Sequence, residues 1–434
     1  MTTTGKLSRD HAVHQHANTR IDQWPAAIMR DEDPRVAMPG SGGGLVLKSV
    51  RLQNFKSFRD VHVNLGLRNI LVGPNMSGKS NFLEVFRFLQ RVSFPQPGTL
   101  GLANAFTGGF QEFTWKGGDS NLIVITLEGA GAGAGRVPDA DWRYEIAIVG
   151  DERGFIRVQD EQLSLSTSGL SHELIVKRDG GRSLVNKDGR DIVSRVDPNR
   201  AALEFELPDW DGSFLRRSIA SCYFYRLIPG VMGRPNPAAA PRFLNEAGDN
   251  LSSWLMQLQT RYSEPFAKIR QVCRDVLPGF ADLFTWPTQQ ATVLIGSRED
   301  YLNRPVSVWE MSDGELAFVA LLSLIFAPPE LSADLYCIEE PENHLHPRLL
   351  ETLVELLRQV QDERGASGSA QLIATTHSPY LVDHVSLDEL IVFEKREGAT
   401  LVTHPKDKAH LRALLESKEL GLGDLFYSGA LQGG

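Results

Sequence analysis

Cysteine is scarce in this sequence, and its spacing excludes two kinds of structure. Only three cysteines occur among 434 residues, at Cys222, Cys273 and Cys337, and none belongs to a C-x-x-C pair. A disulfide framework or a zinc site is therefore not expected, which agrees with a reducing compartment. Cys337 lies inside an apolar run and is interpreted as a small buried hydrophobe.

Long hydrophobic runs and an excess of positive charge are also missing. No apolar run approaches the roughly 18 residues that a membrane span needs. The N-terminus has no hydrophobic signal core, so we expect a cytoplasmic protein with no membrane partner. The formal net charge of -9 argues against a surface coated throughout for phosphate binding.

The negative net charge does not exclude a local basic stripe that faces DNA. The candidate side chains are Arg216, Arg217, Arg226 and Arg234. Charges in such a pattern are equally well interpreted as solvated surface residues. Two interpretations of these arginines therefore remain: direct contact with DNA, or solvated charges on the surface.

The sequence does contain a phosphate-binding loop between a strand pattern and a helix pattern. Residues 70–72 form a short apolar run, and apolar residues recur at helical spacing after Asn81. The intervening G-x-x-x-x-G-K-S pattern lets backbone N–H groups wrap a polyphosphate, while Lys79 supplies a cation and Ser80 a hydroxyl for Mg²⁺. The sequence therefore predicts binding of a nucleoside triphosphate. The candidate nucleotide-binding residues are Gly73, Pro74, Asn75, Met76, Ser77, Gly78, Lys79, Ser80 and Asn81.

Patterning along the chain predicts an α/β fold. It consists of a split P-loop domain with a mixed or parallel sheet, an inserted antiparallel β lobe and a helical subdomain. Short strand patterns between 122 and 196, separated by Gly/Asp-rich turns, predict the lobe, and 213–280 has a helical pattern. The expected divisions are a disordered arm (1–44), the N-terminal half with the P-loop (45–100), the β lobe (101–206), helices and connecting strands (207–304), and the C-terminal half (305–434).

The arm carries His11, His14 and His16, which could hold a metal ion. No cysteine or carboxylate joins them at a fixed spacing. A solvated tail is the favoured interpretation.

Three further segments carry polar residues of the kind that a nucleotide site uses. Ser312 heads an apolar helix pattern, and it is interpreted either as a phosphate ligand or as a simple N-cap. Glu339 and Glu340 end an apolar strand pattern, where adjacent carboxylates are costly unless they meet a cation or polarise water. Because side chains alternate along a strand, we expect one to face Mg²⁺ and its waters and the other to face the γ-phosphate. His377 ends another apolar run, although a histidine with its hydrogen bonds made within the fold is common at a strand end.

Together, the P-loop and these three segments resemble the motifs of ABC-type ATPases. The resemblance is to the branch that includes the SMC and RecF proteins and the bacterial AAA_21-type or OLD-like ATPases. The opening block, Walker A, signature, Walker B with D-loop, and switch-histidine loop occur in that order, and their residues are 52–58, 72–81, 312–315, 338–347 and 375–379.

The resemblance implies ATP and Mg²⁺ as ligands and assigns a role to each candidate. Lys56 and Lys79 would contact ATP, Ser80 and Glu339 would serve Mg²⁺, Glu340 would polarise the attacking water and His377 would sense the γ-phosphate. The wider superfamily usually has Asp where Glu339 stands, and Gln111 is a weak candidate for the Q-loop. Residues that would complete the site of a second subunit, in a head-to-tail homodimer or higher oligomer, are Ser312, Asp313, Gly314 and Glu315.

Two missing features limit this resemblance. About 230 residues separate Walker A from the signature without the heptads of SMC arms. A Toprim nuclease domain needs more chain than follows His377, and no D-x-D occurs there. The expectation is an ATPase that dimerises on ATP and acts on DNA or controls a separate nuclease or toxin-like effector, in anti-phage defence or DNA repair. The alternative is a RecF-like DNA-junction clamp with slow turnover. Residues 54–58 argue against a transporter subunit.

Overall fold

The structure is a computed structural model that describes residues 46–95, 98–132, 137–151, 154–167, 169–178, 180–365, 368–405 and 421–427. The predicted N-terminal arm, with its three histidines, lies outside the described residues. Within these ranges, no helix combines the length and the apolar character needed to cross a membrane.

Strands and helices alternate through much of the chain, as expected for an α/β fold. The strands are β1 (Val46–Phe55), β2 (Phe58–Asn64), β3 (Arg68–Val72), β4 (Leu122–Ala132), β5 (Val137–Gly150), β6 (Ile156–Thr167), β7 (Leu170–Arg178), β8 (Gly181–Val185), β9 (Asp191–Val196), β10 (Cys222–Tyr225), β11 (Asn236–Pro237), β12 (Phe280–Pro287), β13 (Thr292–Glu299), β14 (Val306–Ser307), β15 (Leu335–Glu339), β16 (Gln371–Thr376), β17 (Leu390–Arg396) and β18 (Ala399–Thr403). The helices are α1 (Lys79–Ser93), α2 (Gly101–Ala105), α3 (Ser213–Ala220), α4 (Pro229–Met232), α5 (Leu251–Arg261), α6 (Ser263–Val276), α7 (Asp313–Ile325), α8 (Pro347–Arg364), α9 (Pro379–Asp383) and α10 (Leu422–Tyr427).

The central sheet has the strand order β10-β15-β16-β3-β17-β18. Every neighbouring pair is parallel except β17 and β18, which form an antiparallel hairpin. Its inner strands are nearly continuous apolar runs, as expected when a parallel sheet is covered on both faces. The carboxyl ends of β3, β15 and β16 therefore meet at one edge of the sheet.

The second sheet is antiparallel, with the order β2-β1-β4-β5-β6-β7-β8-β9. The predicted strand regions between 122 and 196 lie in β4 to β7 and β9. β8 is not among the predicted strands, because its five residues directly follow a glycine turn. β1 and β2 belong to this same sheet, since β1 pairs with β4 from Val46 to Gln53. The strands of residues 101–206 thus continue the sheet that the opening block begins.

The helical prediction for 213–280 is wrong at Cys222–Tyr225, which form β10. This strand pairs in parallel with β15, Cys222 opposite Leu335 and Tyr225 opposite Ile338. A four-residue apolar run does not reveal its own periodicity, and here the long-range partner decides the conformation. The rest of this region contributes α3 to α6 and the small antiparallel sheet of β11 to β14.

The P-loop helix α1 lies in the core that the two large sheets share. Phe82, Phe88 and Leu89 are fully buried, in one cluster with residues of both sheets. The Phe88 ring lies 5.8 Å from that of Phe55 on β1, and Phe82 lies 5.7 Å from Phe393 on β17, both in edge-to-face geometry. Aromatic pairs of this kind fix a helix in position. The three cysteines are also buried, as predicted for Cys337.

Gln371, at the start of β16, joins the two large sheets through its side-chain amide. The amide nitrogen donates to the carbonyls of Leu47 and Gly66 at 2.9 and 2.6 Å, and the amide oxygen accepts from Leu47 N–H at 3.1 Å. Gln371 is 1% exposed, so these bonds form away from water. β16 is thereby tied to β1 at the end opposite His377.

Candidate nucleotide-binding site

One edge of the central sheet brings the predicted motifs together. Val72, the last residue of β3, lies opposite Thr376 of β16, and Thr375 lies opposite Glu339 of β15. The P-loop, the paired carboxylates and His377 each follow one of these strands. In open α/β sheets, ligands bind at the carboxyl ends of the strands, so this edge is the candidate site.

The P-loop backbone adopts a conformation that depends on its glycines. Gly73 and Gly78 have φ angles of 149° and 108°, and Met76 has a φ of 62°. A Cβ on Gly73 would lie 2.1 Å from the Phe393 carbonyl oxygen, which no side chain tolerates. Ser77 and Gly78 are buried, whereas the solvent-facing residues of the loop are Pro74, Asn75, Met76 and Ser80.

Lys79 is a buried cation held by the loop itself. Its ammonium donates to the carbonyl oxygens of Gly73 at 2.8 Å and Pro74 at 3.0 Å. Burial lowers the pKa of Lys79 to about 8, although the charges of Glu340 and Glu342 pull that pKa upward. Removing an ammonium from water without a carboxylate in direct contact is costly. A bound polyphosphate would relieve this cost, so the site favours anions.

Two oxygen ligands for a hard cation lie beside the loop. Ser80 Oγ donates to Glu339 Oε2 at 3.2 Å, and the other oxygen, Glu339 Oε1, lies 3.5 Å from Arg87 Nη2. Hydroxyl and carboxylate oxygens are the ligands that Mg²⁺ uses, with one or two protein groups and substrate phosphates completing its shell. The described ranges contain no group of three or more His, Cys, Asp or Glu side chains that could hold a metal ion. The donor set fits Mg²⁺ shared with a nucleotide.

Glu340 lies in different surroundings, facing His377. Its backbone has a φ of 49°, and its N–H donates to the Thr375 carbonyl at 3.0 Å, which turns the chain sharply after β15. Glu340 Oε1 lies 3.9 Å from His377 Nε2, while Oε2 accepts from Asn343 Nδ2 at 2.8 Å. Burial, and then the charge of Lys79, lowers the pKa of His377, so the imidazole is neutral at pH 7.

Glu342 is a site residue that the sequence reasoning missed. Its Oε1 accepts from Thr376 Oγ1 at 2.7 Å and from His377 N–H at 3.0 Å. The other oxygen, Oε2, is buried and has no hydrogen-bond partner among the described residues. The side chain thereby ties the D-loop to the switch-histidine loop. Its place in the acidic run that follows β15 is the only signal the sequence gives.

The signature residues begin helix α7 next to the D-loop. Ser312 is the N-cap of α7: Ser312 Oγ accepts from Glu315 N–H at 3.2 Å, and Ser312 N–H donates to Glu315 Oε2 at 2.7 Å. The Asp313 carboxylate lies 3.5 Å from His344 Nδ1, and a Cβ on Gly314 would lie 2.9 Å from the His344 carbonyl oxygen. Ser312 and Asp313 are exposed. Within one chain, Ser312 therefore serves as the N-cap of α7.

The opening block lies against the first turn of α1. Asn81 Nδ2 donates to Ser57 Oγ at 3.0 Å, and the Lys56 ammonium lies 3.8 Å above the Phe113 ring, where burial lowers its pKa. Gln111, the Q-loop candidate, is exposed in a short 3-10 helix, where its side-chain oxygen accepts from Thr114 Oγ1 at 3.4 Å. A pocket of about 480 Å³ opens here, lined by Lys56, Ser57, Asn81, Glu112, Thr114, Trp115, Lys116, Gly117, Lys395 and Gly398.

Of the four arginines considered for DNA contact, Arg216 does not reach the surface. It is 7% exposed, its Nε donates to the Leu203 carbonyl at 3.1 Å, and its guanidinium covers the Phe94 ring at 4.3 Å. Its assignment as a surface candidate is wrong, since it packs as part of the core. Arg226 and Arg234 are exposed and Arg217 is partly buried.

Two sequence families match the chain, one on each half of the split domain. Residues 46–129, with the P-loop, match the family described as "AAA ATPase domain" (AAA_15). Residues 235–383, with the signature, the paired carboxylates and His377, match the family described as "AAA domain, putative AbiEii toxin, Type IV TA system" (AAA_21). No curated protein matches the chain.

Solved structures that are similar to this one include three SMC head domains. An Smc head bound to the C-winged helix domain of ScpA is 13% identical, with 82% of this chain and 97% of that chain covered and a TM-score of 0.47. An Smc head with an extended coiled coil, bound to the C-terminal domain of ScpA from Pyrococcus furiosus, is 11% identical, with coverages of 86% and 100% and a TM-score of 0.47. The SMC head domain from Thermotoga maritima is 15% identical, with coverages of 83% and 98% and a TM-score of 0.42.

The family matches fall on the segments that the sheet brings to one edge. P-loop, signature, Walker B and switch histidine occur in the order found in ABC-type ATPases, and each lies in or beside a matched region. Both halves of the split domain are thus similar to AAA domains.

Proposed function

We propose that this chain binds ATP together with Mg²⁺ and hydrolyses it to ADP and phosphate. One observation carries the proposal: a single sheet edge holds a buried cation at Lys79, an oxygen pair at Ser80 and Glu339, and a carboxylate facing a neutral imidazole at Glu340 and His377. Phosphoryl transfer needs positioning and charge stabilisation rather than a covalent group on the protein. These residues supply both requirements.

Each group has a distinct task in the proposed reaction. The P-loop N–H groups and Lys79 bind the β- and γ-phosphates, Lys79 exchanging its loop carbonyls for phosphate oxygens. Glu340 orients a water and accepts its proton as the water oxygen bonds to the γ-phosphorus and the bond to the bridging oxygen breaks. The neutral His377 places a ring N–H beside the γ-phosphate as a hydrogen-bond donor. Mg²⁺, held by Ser80 and Glu339, would neutralise charge on the β- and γ-phosphates.

We assign the nucleoside half of ATP to the pocket beside Asn81. Its volume of about 480 Å³ is within the range typical of small-molecule sites. Lys56, Lys116 and Lys395 line it together with one carboxylate, Glu112. It adjoins the start of α1, next to the loop that would bind the phosphates.

We further propose that ATP joins two chains head to tail. Ser312 and Asp313 are exposed at the N-terminus of α7, where the helix dipole favours an anion. In this arrangement the signature of one chain faces the γ-phosphate held by its partner. The dimer would act on DNA or switch a separately encoded effector, in anti-phage defence or DNA repair.

The test of the core proposal is steady-state hydrolysis of MgATP by the purified chain. Lys79→Ala should weaken nucleotide binding roughly 10- to 100-fold, because a charged hydrogen-bond partner is lost in ground and transition states alike. Lys268→Ala, a change at an exposed position of α6, is the matched lysine control and should keep hydrolysis within a few-fold of wild type. Absence of Lys79-dependent hydrolysis in the wild-type chain, across Mg²⁺ concentrations, would show that the proposed enzyme activity is incorrect.

A further inference from the structure

Thr400, on β18, contacts the P-loop from the far end of the chain. It is 1% exposed, and its Oγ1 donates to the Ser77 carbonyl oxygen at 2.8 Å. Its Oγ1 also lies 2.8 Å from Ser57 Oγ, and its N–H donates to the Ser57 carbonyl at 2.7 Å. The side chain therefore joins the β1–β2 turn to the P-loop.

The Thr400 hydroxyl is the donor of this cluster. It shares its one proton between the Ser77 carbonyl oxygen and Ser57 Oγ, each 2.8 Å from Thr400 Oγ1. Ser57 Oγ also accepts from Asn81 Nδ2 at 3.0 Å. Because a carbonyl oxygen can only accept, the Ser77 carbonyl depends on Thr400 for this hydrogen bond.

The hairpin of β17 and β18 fits against both ends of the P-loop. A Cβ on Gly78 would lie 2.4 Å from Thr400 Oγ1 and 2.8 Å from Ser57 Oγ, and a Cβ on Gly73 would lie 2.1 Å from the Phe393 carbonyl oxygen. Both close approaches require glycine. The two glycines of the P-loop pattern thus serve contact with this hairpin as well as loop conformation.

We propose that Thr400 is a positioning residue that aims the P-loop N–H groups at the phosphates, an inference that rests on the proposed nucleotide site. In a planar trans peptide the C=O and the following N–H point in opposite directions. Anchoring the Ser77 carbonyl to Thr400 therefore directs the Gly78 N–H away from Thr400. A polyphosphate bound by the loop would then meet an N–H that does not have to reorient.

The test compares Thr400→Val, which keeps shape and removes the hydroxyl, with Thr400→Ser, which restores it. Thr403→Val, at an exposed position of the same strand, is the matched control. The Kd for a fluorescent MgATP analogue, the KM and kcat for MgATP and the melting temperature are measured for each. We expect Thr400→Val to raise Kd about three- to tenfold, as the loss of one hydrogen bond predicts, and Thr400→Ser and Thr403→Val to bind within twofold of wild type.

The outcomes separate this inference from the function on which it rests. If wild type binds MgATP and Thr400→Val binds equally well, the nucleotide site stands and the positioning role is overturned. Equal loss of affinity in Thr400→Ser also overturns it, because the hydroxyl is then not the operative group. A lowered melting temperature with unchanged Kd assigns Thr400 to stability alone and rejects the inference. No Lys79-dependent binding by wild type rejects the nucleotide site itself, and the inference with it.

Discussion

Glu339 and Glu340 are adjacent in sequence but face different groups: Glu339 reaches Ser80, and Glu340 faces His377. We expect Glu340→Gln to retain ATP binding and to lower turnover by about 100-fold or more, because the amide cannot accept the proton of the attacking water. The variant should accumulate as an ATP-bound dimer, visible by light scattering. Glu339→Gln should instead raise the Mg²⁺ concentration needed for half-maximal binding.

Turnover at the wild-type rate in Glu340→Gln would place the base elsewhere. Glu339 and Glu342 are then the first residues to replace. Glu342→Gln is informative in its own right, because Glu342 Oε1 accepts from both Thr376 and His377 in the present structure. The amide keeps one acceptor oxygen, so hydrogen bonding to the loop survives while the charge is lost.

The pKa of Lys79 predicts how nucleotide binding depends on pH. Burial lowers this pKa to about 8, and bound phosphates would raise it again by stabilising the ammonium. Binding above pH 8 therefore requires uptake of a proton, and affinity should fall by up to about tenfold per pH unit between about pH 8 and 10. Calorimetry in buffers of different ionisation enthalpy should detect that proton. Lys79→Ala should lose this dependence, and a slope that persists there would implicate another group.

At the residue scale, local patterns identified the groups whose partners lie nearby in the chain. The G-x-x-x-x-G-K-S spacing locates Lys79 and Ser80 because loop and helix are formed by consecutive residues. Thr400 carries no local signal, since its partner Ser77 lies 323 positions away. The burial of Arg216 has no local signal for a related reason: it depends on Phe94 and Leu203, which only the fold brings to it.

At the element scale, the N-terminus of α7 can be tested without disturbing its cap. Asp is as good an N-cap as Ser, so Ser312→Asp should leave the melting temperature nearly unchanged. The new carboxylate would face the γ-phosphate of a partner chain, and the like charges should abolish ATP-dependent dimers and hydrolysis. Native mass spectrometry with a non-hydrolysable analogue measures the dimer, and Ser312→Thr is the control.

The outcome of this experiment decides between two locations for the signature. Binding of nucleotide by the isolated Ser312→Asp chain should remain, because Lys79 and the P-loop are unchanged. Hydrolysis at the wild-type rate would mean that α7 does not complete a partner's site. Loss of nucleotide binding in the monomer would place Ser312 in its own chain's site instead.

Elements were predictable where periodicity extends over enough residues. α1, with apolar residues at helical spacing, agrees with its pattern. The helical pattern does not predict β10, because four apolar residues, Cys222 to Tyr225, fit either period, and parallel pairing with β15 decides the conformation. The order of strands within each sheet depends on such pairings between distant segments, which no local pattern contains.

At the scale of the whole molecule, the antiparallel sheet is connected to the strand that carries the switch histidine. Gln371 bonds β16 to Leu47 of β1, and β16 ends at His377. A displacement of β16 on nucleotide binding would therefore be transmitted to the eight-stranded sheet. Gln371→Leu, which removes the buried amide, should leave MgATP hydrolysis within a few-fold of wild type. Hydrogen exchange should then report that nucleotide-dependent protection of β1 and β4 is lost; unchanged protection would contradict this route.

Because of this connection, we expect an effector that responds to ATP to dock on the antiparallel sheet. The final prediction is that the purified chain neither cuts nor modifies DNA with Mg²⁺ or Mn²⁺, and that its output requires a second polypeptide, a nuclease or toxin-like protein, docked on this sheet. The residues of the proposed ATP site supply groups for hydrolysis of a nucleotide only, and their donor set fits one cation shared with phosphates. Plasmid cleavage by the chain alone would contradict the prediction, provided that cleavage is lost when a carboxylate outside the ATP site is replaced. With the partner added, charge reversal at the exposed Lys177 of β7 should reduce effector output. It should not change MgATP hydrolysis, because β7 belongs to the antiparallel sheet and the nucleotide site lies at the edge of the central sheet.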